Sequence, residues 1–168
     1  MTGLLKKLAD NPATFASRRF DEQYAAVCYR RDPETAELQV LLVTSRDTGR
    51  WVLPKGWPMK GKKPHRAAEI EAWEEAGVRG KVSKKSLGTF TYLKGLKDGS
   101  VVPCTVTLFP LEVEDLADCY DEKSQRARRW ADCQDAARSV QEPELKILLS
   151  TLDNRLSPKD KKRHAKHG

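Results

Sequence analysis

The chain has 168 residues, of which 39% are hydrophobic and 33% are charged, and this suits one folded domain with a sizeable core. Its 31 basic and 24 acidic residues give a net charge of +7, and no apolar run approaches the roughly 20 residues that cross a bilayer. Residues 1–10 lack the apolar core of a secretory signal, and four cysteines without a C-x-x-C pair fit neither a disulfide scaffold nor a zinc site. We therefore expect a cytoplasmic protein with reduced thiols and no membrane span.

The two ends of the chain differ in composition from its middle. Residues 157–168 hold five basic residues and one acidic residue with almost no apolar side chain, which predicts a basic, disordered tail. A solubilising role is favoured for this tail over contact with nucleic acid, which stays open. We predict an N-terminal extension over residues 1–19 and one domain over residues 20–156.

The first half of the domain predicts three strands and a loop. The strands cover residues 24–30, 38–44 and 51–54, and the second is expected to be buried on both faces because its apolar run is nearly continuous. A proline ends the third strand. Residues 55–63 are rich in glycine, proline and lysine and predict a loop.

A helix is predicted from Pro64 to Ala76, because proline suits the first helical turn and Gly77 suits the end. Two further strands are predicted at residues 87–93 and 101–113, on either side of a turn at 97–99, and a short strand is predicted at 126–130. Two helices are predicted at residues 132–140 and 143–152. The simplest account is one mixed α/β domain.

Three glutamates on the predicted helix carry the functional argument. Glu71, Glu74 and Glu75 have i, i+3 and i+4 spacing and therefore share one face, where like charges repel. Two of them fall in the last turn, where the helix dipole is already negative. A solvated acidic face is the simplest alternative, but a bound divalent cation would make the cluster favourable.

Basic residues close to these glutamates indicate a phosphate ligand. Lys55 and Lys62 lie in the loop before the helix, and Arg46 and Arg50 lie one connection earlier. A phosphoanhydride with its Mg²⁺ needs this combination, since the metal bridges carboxylates and phosphates while bases hold the remaining charge. Gly56 would allow the backbone to approach such a ligand closely.

Aromatic residues and one histidine complete the candidates. Trp57 could contact a base or ring of the substrate. Trp51, Trp73 and Trp130 are expected in the core, and His65 is expected at the surface without a role.

The spacing from Gly56 to Val78 resembles the box of the Nudix hydrolases, which reads Gly, five residues, Glu, seven residues, then Arg-Glu-U-x-Glu-Glu-x-Gly-U, where U is aliphatic. The closing segment EAWEEAGV is in register. Lys62 replaces the first glutamate of the box and Ile70 replaces its arginine. The wider resemblance, over residues 20–152, is to the diphosphoinositol polyphosphate and diadenosine polyphosphate phosphohydrolases.

The resemblance implies a fold and a set of roles. The fold is an α/β/α sandwich with a mixed central sheet and a loop–helix–loop at the box. Glu71 and Glu75 match metal ligands, together with the backbone carbonyl of Lys55, and Glu74 matches the catalytic base. Substrate-binding positions are Arg46 and Arg126, with further candidates from the residues themselves: Arg50, Lys55, Gly56, Lys62, and, less directly, Arg18, Arg19 and Trp57.

These residues together predict a hydrolase dependent on Mg²⁺, or on Mn²⁺ in its place, which cleaves a phosphoanhydride bond in a small-molecule polyphosphate such as a diadenosine polyphosphate or a diphosphoinositol polyphosphate. Other nucleoside diphosphate derivatives and RNA 5′ ends are alternative substrates. A non-catalytic binding module of the same fold is the alternative from another class. A monomer is predicted.

Overall fold

The computed structural model describes residues 21–156. The predicted N-terminal extension, with Arg18 and Arg19, and the predicted basic tail lie outside the described residues. Within residues 21–156, no helix combines the length and the apolar character required to cross a bilayer.

The described part of the chain contains eight strands and four helices. The strands are β1 (Asp21–Arg31), β2 (Leu38–Thr44), β3 (Trp51–Val52), β4 (Lys55–Gly56), β5 (Val78–Val82), β6 (Gly88–Gly95), β7 (Val101–Leu116) and β8 (Arg128–Asp132). The helices are α1 (Pro64–Ala76), α2 (Cys133–Ser139), α3 (Pro143–Ser150) and α4 (Leu152–Arg155).

One mixed sheet organises the domain. Its main strand order is β3-β2-β1-β7-β5, and β4, β6 and β8 pair with β1, β7 and β2 respectively. The central β1–β7 pair is parallel, from Asp21 opposite Cys104 to Tyr29 opposite Glu112, and every other pair within the described residues is antiparallel. The mixed sheet predicted from the resemblance is confirmed.

Both faces of this sheet are covered by helices. Alternate residues of a strand point to opposite faces, so Val27 packs in the core that includes Leu149 of α3, whereas Ala26 packs in the core that includes Ala72 of α1. The central residues of β2 are buried on both faces, as the continuous apolar run predicted. The α/β/α arrangement is therefore confirmed.

Four elements differ from the sequence prediction. Lys55 and Gly56 begin the predicted loop but pair with β1 as a short strand, because the chain turns back toward β1 after Pro54. Strand β5 was not predicted; it is short, its central residue is Gly80, and its pairing with β7 shifts register between Arg79 and Gly80. Strand β8 starts two residues later than predicted, and the last predicted helix is interrupted at Thr151.

Two side chains also differ from expectation. His65 is buried rather than at the surface, with its ring centroid 6.4 Å from that of Phe109. Trp73 is only half-buried and lies under the guanidinium of Arg79, which is 4.5 Å from the indole centroid, so it does not belong to either apolar core.

Candidate active site

Helix α1 brings the three glutamates to one end of the sheet. It spans Pro64–Ala76, as predicted, with proline in its first turn and Gly77 in the left-handed region at φ 66°. Ala68, Ala72 and Ala76 are fully buried, and their small side chains let the helix approach the sheet closely. No basic residue lies in the last turn, so the helix itself supplies no charge to offset Glu74 and Glu75.

The segment after β7 supplies what the end of this helix lacks. Arg128 donates a hydrogen bond to the carbonyl oxygen of Ala76 at 2.7 Å, which places a cation at the negative end of the helix dipole. The backbone N–H of Glu122 donates to the carbonyl oxygen of Glu74 at 3.0 Å. The ring of Tyr120 lies so close to Gly77 that a Cβ atom there would overlap it. The last turn of α1 is thus held from outside the helix.

A pocket of about 340 Å³ opens beside these residues. It is lined by eight residues named from the sequence: Arg46, Lys55, Gly56, Trp57, Glu71, Glu74, Glu75 and Arg126. Two other candidates, Arg50 and Lys62, do not line it, and the Lys62 side chain is exposed. The pocket is large enough for several phosphate groups and is lined by both signs of charge.

Glu75 is fixed by two partners. Its side chain is 5% exposed, and the Arg126 guanidinium contacts Oε1 at 2.9 Å. The backbone N–H of Lys55 donates to Oε2 at 2.7 Å. Arg126 itself is 9% exposed and also contacts the Glu122 carboxylate at 3.1 Å and the carbonyl oxygen of Thr44 at 3.0 Å. The Arg126 guanidinium therefore acts first as a support for Glu75.

Glu71 and Glu74 are held much less firmly. Within residues 21–156 neither carboxylate accepts a hydrogen bond, so their oxygen atoms are available to a ligand. The backbone at Gly56 lies against Glu71 so closely that a Cβ atom would overlap the carboxylate. Only glycine leaves room for this approach.

The acidic cluster is short of compensating charge. Burial, followed by repulsion from Glu75 and Glu74, raises the pKa of Glu71 to about 7. Burial also raises the pKa of Glu75 to about 7, against the opposing effects of Arg126 and the Lys55 N–H. For Glu74 the pKa is raised by burial and then by nearby acidic groups. A carboxylate cluster that resists ionisation in this way is stabilised by a cation.

The chemistry of these side chains fits a hard divalent cation. Carboxylate and carbonyl oxygens are the ligands preferred by Mg²⁺, and Mg²⁺ often shares them with substrate phosphates. Among the described residues, no three acidic, histidine or cysteine side chains already form a closed metal cage. The site thus offers a partial set of ligands, on the face of α1 that lines the pocket.

Several pocket residues were not found from the sequence, and the most informative are Gln23, Lys94 and Glu122. The Glu122 carboxylate contacts both Arg126, at 3.1 Å, and Arg46, at 3.4 Å. Lys94 lies in β6, two and four residues after Tyr92 and Phe90, so the period-two pattern of that strand placed all three on one face. Gln23 and Glu122 carry no such signal, because pairing across the fold brings them to the pocket.

Comparison with known proteins finds similar sequences and similar folds. The NUDIX domain matches residues 21–151. Diphosphoinositol polyphosphate phosphohydrolase 3-alpha of Mus musculus is 32% identical over 131 residues, covering 76% of this chain and 74% of that protein. A C. elegans Ap4A hydrolase has the same fold, with a TM-score of 0.60 at 20% identity over 83% of this chain and 100% of that one. The NUDIX domain of Shewanella oneidensis NrtR, complexed with ADP ribose, also has the same fold. Its TM-score is 0.62 at 16% identity, and the match covers 90% of this chain and 98% of that one.

Proposed function

The chain belongs to the NUDIX family, and from this premise we propose that it is a divalent-metal-dependent pyrophosphohydrolase acting on a polyphosphorylated small molecule. The observation that carries the proposal is the pocket in which Glu71, Glu74 and Glu75 face Arg46 and further bases. The phosphohydrolase names of the relatives at about 30% identity support the same class of substrate. Diadenosine polyphosphates and diphosphoinositol polyphosphates are the two candidates.

Glu71, Glu75 and the backbone carbonyl of Lys55 are the groups that would hold the metal, with Mg²⁺ proposed and Mn²⁺ able to replace it. When bound, the metal would polarise a bridging phosphate and lower the pKa of a coordinated water. Both oxygens of Glu75 already have protein partners, so Glu75 enters the site with a fixed orientation.

Glu74 is the residue proposed to take the proton from the attacking water. Its carboxylate lines the pocket, and burial, followed by repulsion from Asp121 and Glu122, raises its pKa, which makes it a stronger base than a free carboxylate. Arg46 and Lys55 would stabilise charge on the departing phosphate. For Arg126 we propose that orienting Glu75 is the main contribution, and direct contact with phosphate stays a prediction. No covalent intermediate is required.

The test is a substrate panel measured with Mg²⁺ and with Mn²⁺. The panel contains diadenosine tetraphosphate, a diphosphoinositol pentakisphosphate, ADP-ribose and RNA with a 5′-triphosphate, so that the other nucleotide and RNA substrates are tested alongside. We expect metal-dependent hydrolysis of at least one of the first two compounds, with EDTA abolishing it. Cytoplasmic location and a monomeric state stay predictions.

The variant Glu74→Gln gives the decisive comparison. We expect turnover to fall at least about a hundredfold, which is the usual contribution of a general base. Glu69→Gln is the matched control, because Glu69 lies on the same helix, pairs with Arg66 at 3.1 Å and does not line the pocket. Equal turnover in the two variants would rule out the assigned role of Glu74.

A further inference from the structure

Gln23 is a buried polar residue that the proposed mechanism does not use. Its side chain is only 3% exposed, yet it lines the pocket. The hydroxyl of Tyr92 donates to its Oε1 atom at 2.7 Å, and within residues 21–156 its Nε2 atom forms no hydrogen bond. A buried amide costs free energy unless its two N–H donors find an acceptor. The pocket is the space from which such an acceptor can approach.

Tyr92 fixes the position of this amide and of a neighbouring cation. Its hydroxyl binds Gln23, while the Lys55 Nζ atom lies 5.5 Å from the centroid of its ring, within the range of a cation–π contact. Ala25 pairs with Lys55 across β1 and β4, so Gln23, two residues earlier, lies on the same face of the sheet as Lys55. One tyrosine of β6 thus holds a neutral donor and a positive charge close together.

The lysines of the pocket differ from its arginines in their partners. Among the described residues, neither Lys55 nor Lys94 forms an ion pair with a carboxylate. Both arginines do, since the Glu122 carboxylate lies 3.4 Å from Arg46 and 3.1 Å from Arg126. An anionic oxygen that enters the pocket therefore finds unoccupied donors on the side of the two lysines.

We propose that the Gln23 amide, oriented by Tyr92, donates a hydrogen bond to a nonbridging phosphate oxygen of the substrate. This inference rests on the proposed hydrolase function and adds two residues to it: Gln23 as a substrate contact and Tyr92 as a positioning residue. The two lysines supply the charge of the same phosphate subsite. A neutral amide adds a donor there without a third positive charge, which the lysines would repel in the free protein.

The first test measures steady-state kinetics with whichever of the two candidate compounds the wild type hydrolyses faster. Gln23→Met keeps the length of the side chain but removes both donors, and should lower kcat/KM about ten- to a hundredfold. Gln23→Glu keeps an acceptor for Tyr92 but replaces the donors by a negative charge, so it should lower kcat/KM at least as much. Gln134→Met is the matched control, because Gln134 donates to the carbonyl oxygen of Ser150 and does not line this pocket. Wild-type kinetics in Gln23→Glu would overturn the contact.

The second test concerns Tyr92 as a positioning residue. Tyr92→Phe removes the hydroxyl but keeps the ring beside Lys55, and should raise KM about three- to tenfold while kcat changes less than about twofold. In a Gln23→Met background the same substitution should change KM by less than about twofold, because the hydroxyl acts through the amide. Equal increases of KM in the two backgrounds would overturn the positioning role.

The outcomes separate this inference from the proposed function. If a compound is hydrolysed and Gln23→Met behaves as the control does, the contact is overturned and the hydrolase stands. If no compound is hydrolysed, the proposed function fails, and the contact is judged by calorimetry of inorganic tripolyphosphate binding to metal-free wild type and Gln23→Met. Equal affinities, or no binding by the wild type, would overturn the contact, and weaker binding by the variant would support it.

Discussion

Replacing Arg126 by alanine tests the support of the acidic cluster directly. Removing one partner of a buried ion pair costs about 3–5 kcal/mol when the other charge stays ionised. Here Glu75 can take up a proton, because its pKa is already about 7, and that limits the loss. In metal-free protein we expect the free energy of unfolding to fall by about 2–3 kcal/mol at pH 8 and by about 1 kcal/mol at pH 5.5.

The dependence on pH follows from the sign of the interaction. Arg126 lowers the pKa of Glu75, so its loss makes ionised Glu75 less favourable in the folded protein but not in the unfolded chain. The penalty is felt where Glu75 must be ionised, above about pH 7, and fades where it is protonated. The remaining loss at pH 5.5 comes from the hydrogen bond to Thr44 and the contact with Glu122.

Urea unfolding of EDTA-treated protein at the two pH values measures both losses. Arg46→Ala is the matched control, because that arginine is 56% exposed and should cost less than about 0.5 kcal/mol. In a Glu75→Gln background, Arg126→Ala should cost at least about 1 kcal/mol less than in the wild type at pH 8. Equal costs in the two backgrounds would refute the view that Arg126 supports Glu75.

Four further predictions address the metal, pH, the box glycine and an exposed lysine. Millimolar Mg²⁺ or Mn²⁺ should raise the thermal midpoint of the wild type but not of Glu71→Gln, and an equal rise in both would remove Glu71 from the ligands. Without metal, the raised pKa values of Glu71 and Glu75 mean that these two carboxyl groups bind more protons in the folded protein than in the unfolded chain between pH 4.5 and 7, which outweighs the opposite effect of the lowered pKa of His65. Its thermal midpoint should therefore fall by about 2–4 °C or more from pH 5 to 7.5, and calorimetry showing a rise would contradict this. Gly56→Ala should reduce kcat at least about tenfold while the circular dichroism spectrum is kept, because the added methyl group displaces Glu71. Lys62→Glu should alter kcat/KM less than about twofold, since its exposed side chain does not line the pocket, and a larger loss would restore Lys62 as a phosphate contact.

The sequence was most informative where function and local structure coincide. The bounds of α1, its proline start and its glycine end could be predicted, because each depends on neighbours within one helical turn. The same spacing placed the three glutamates on one face, and the structure places all three in one pocket. Short-range patterns therefore predicted the acidic half of the site.

The basic residues that line the pocket were predicted less well than the acidic ones. Residues near the box in sequence were counted as phosphate contacts, yet Arg50 and Lys62 do not line the pocket, whereas Lys94 does. Lys94 comes from β6, which reaches the site only through its pairing with β7. His65 was misjudged for a related reason: its burial depends on Phe109, a residue of that same distant strand β7. A local pattern places a residue such as Lys94 on one face of its own strand, but it does not show which distant elements that face meets.

The last turn of α1 depends on contacts from residues outside residues 56–78, so this segment cannot be transferred to another protein on its own. Arg128 donates to the carbonyl of Ala76, the backbone N–H of Glu122 donates to the carbonyl of Glu74 in the same last turn, and Arg126 contacts the Glu75 carboxylate; all three residues lie about fifty residues beyond the helix. Residues 56–78 transplanted alone into another scaffold would lack Arg126, which orients Glu75, and Arg128, which binds the end of the helix. A working graft needs the stretch from 117 to 128 as well, so the transferable unit is two segments that are distant in sequence and adjacent in space.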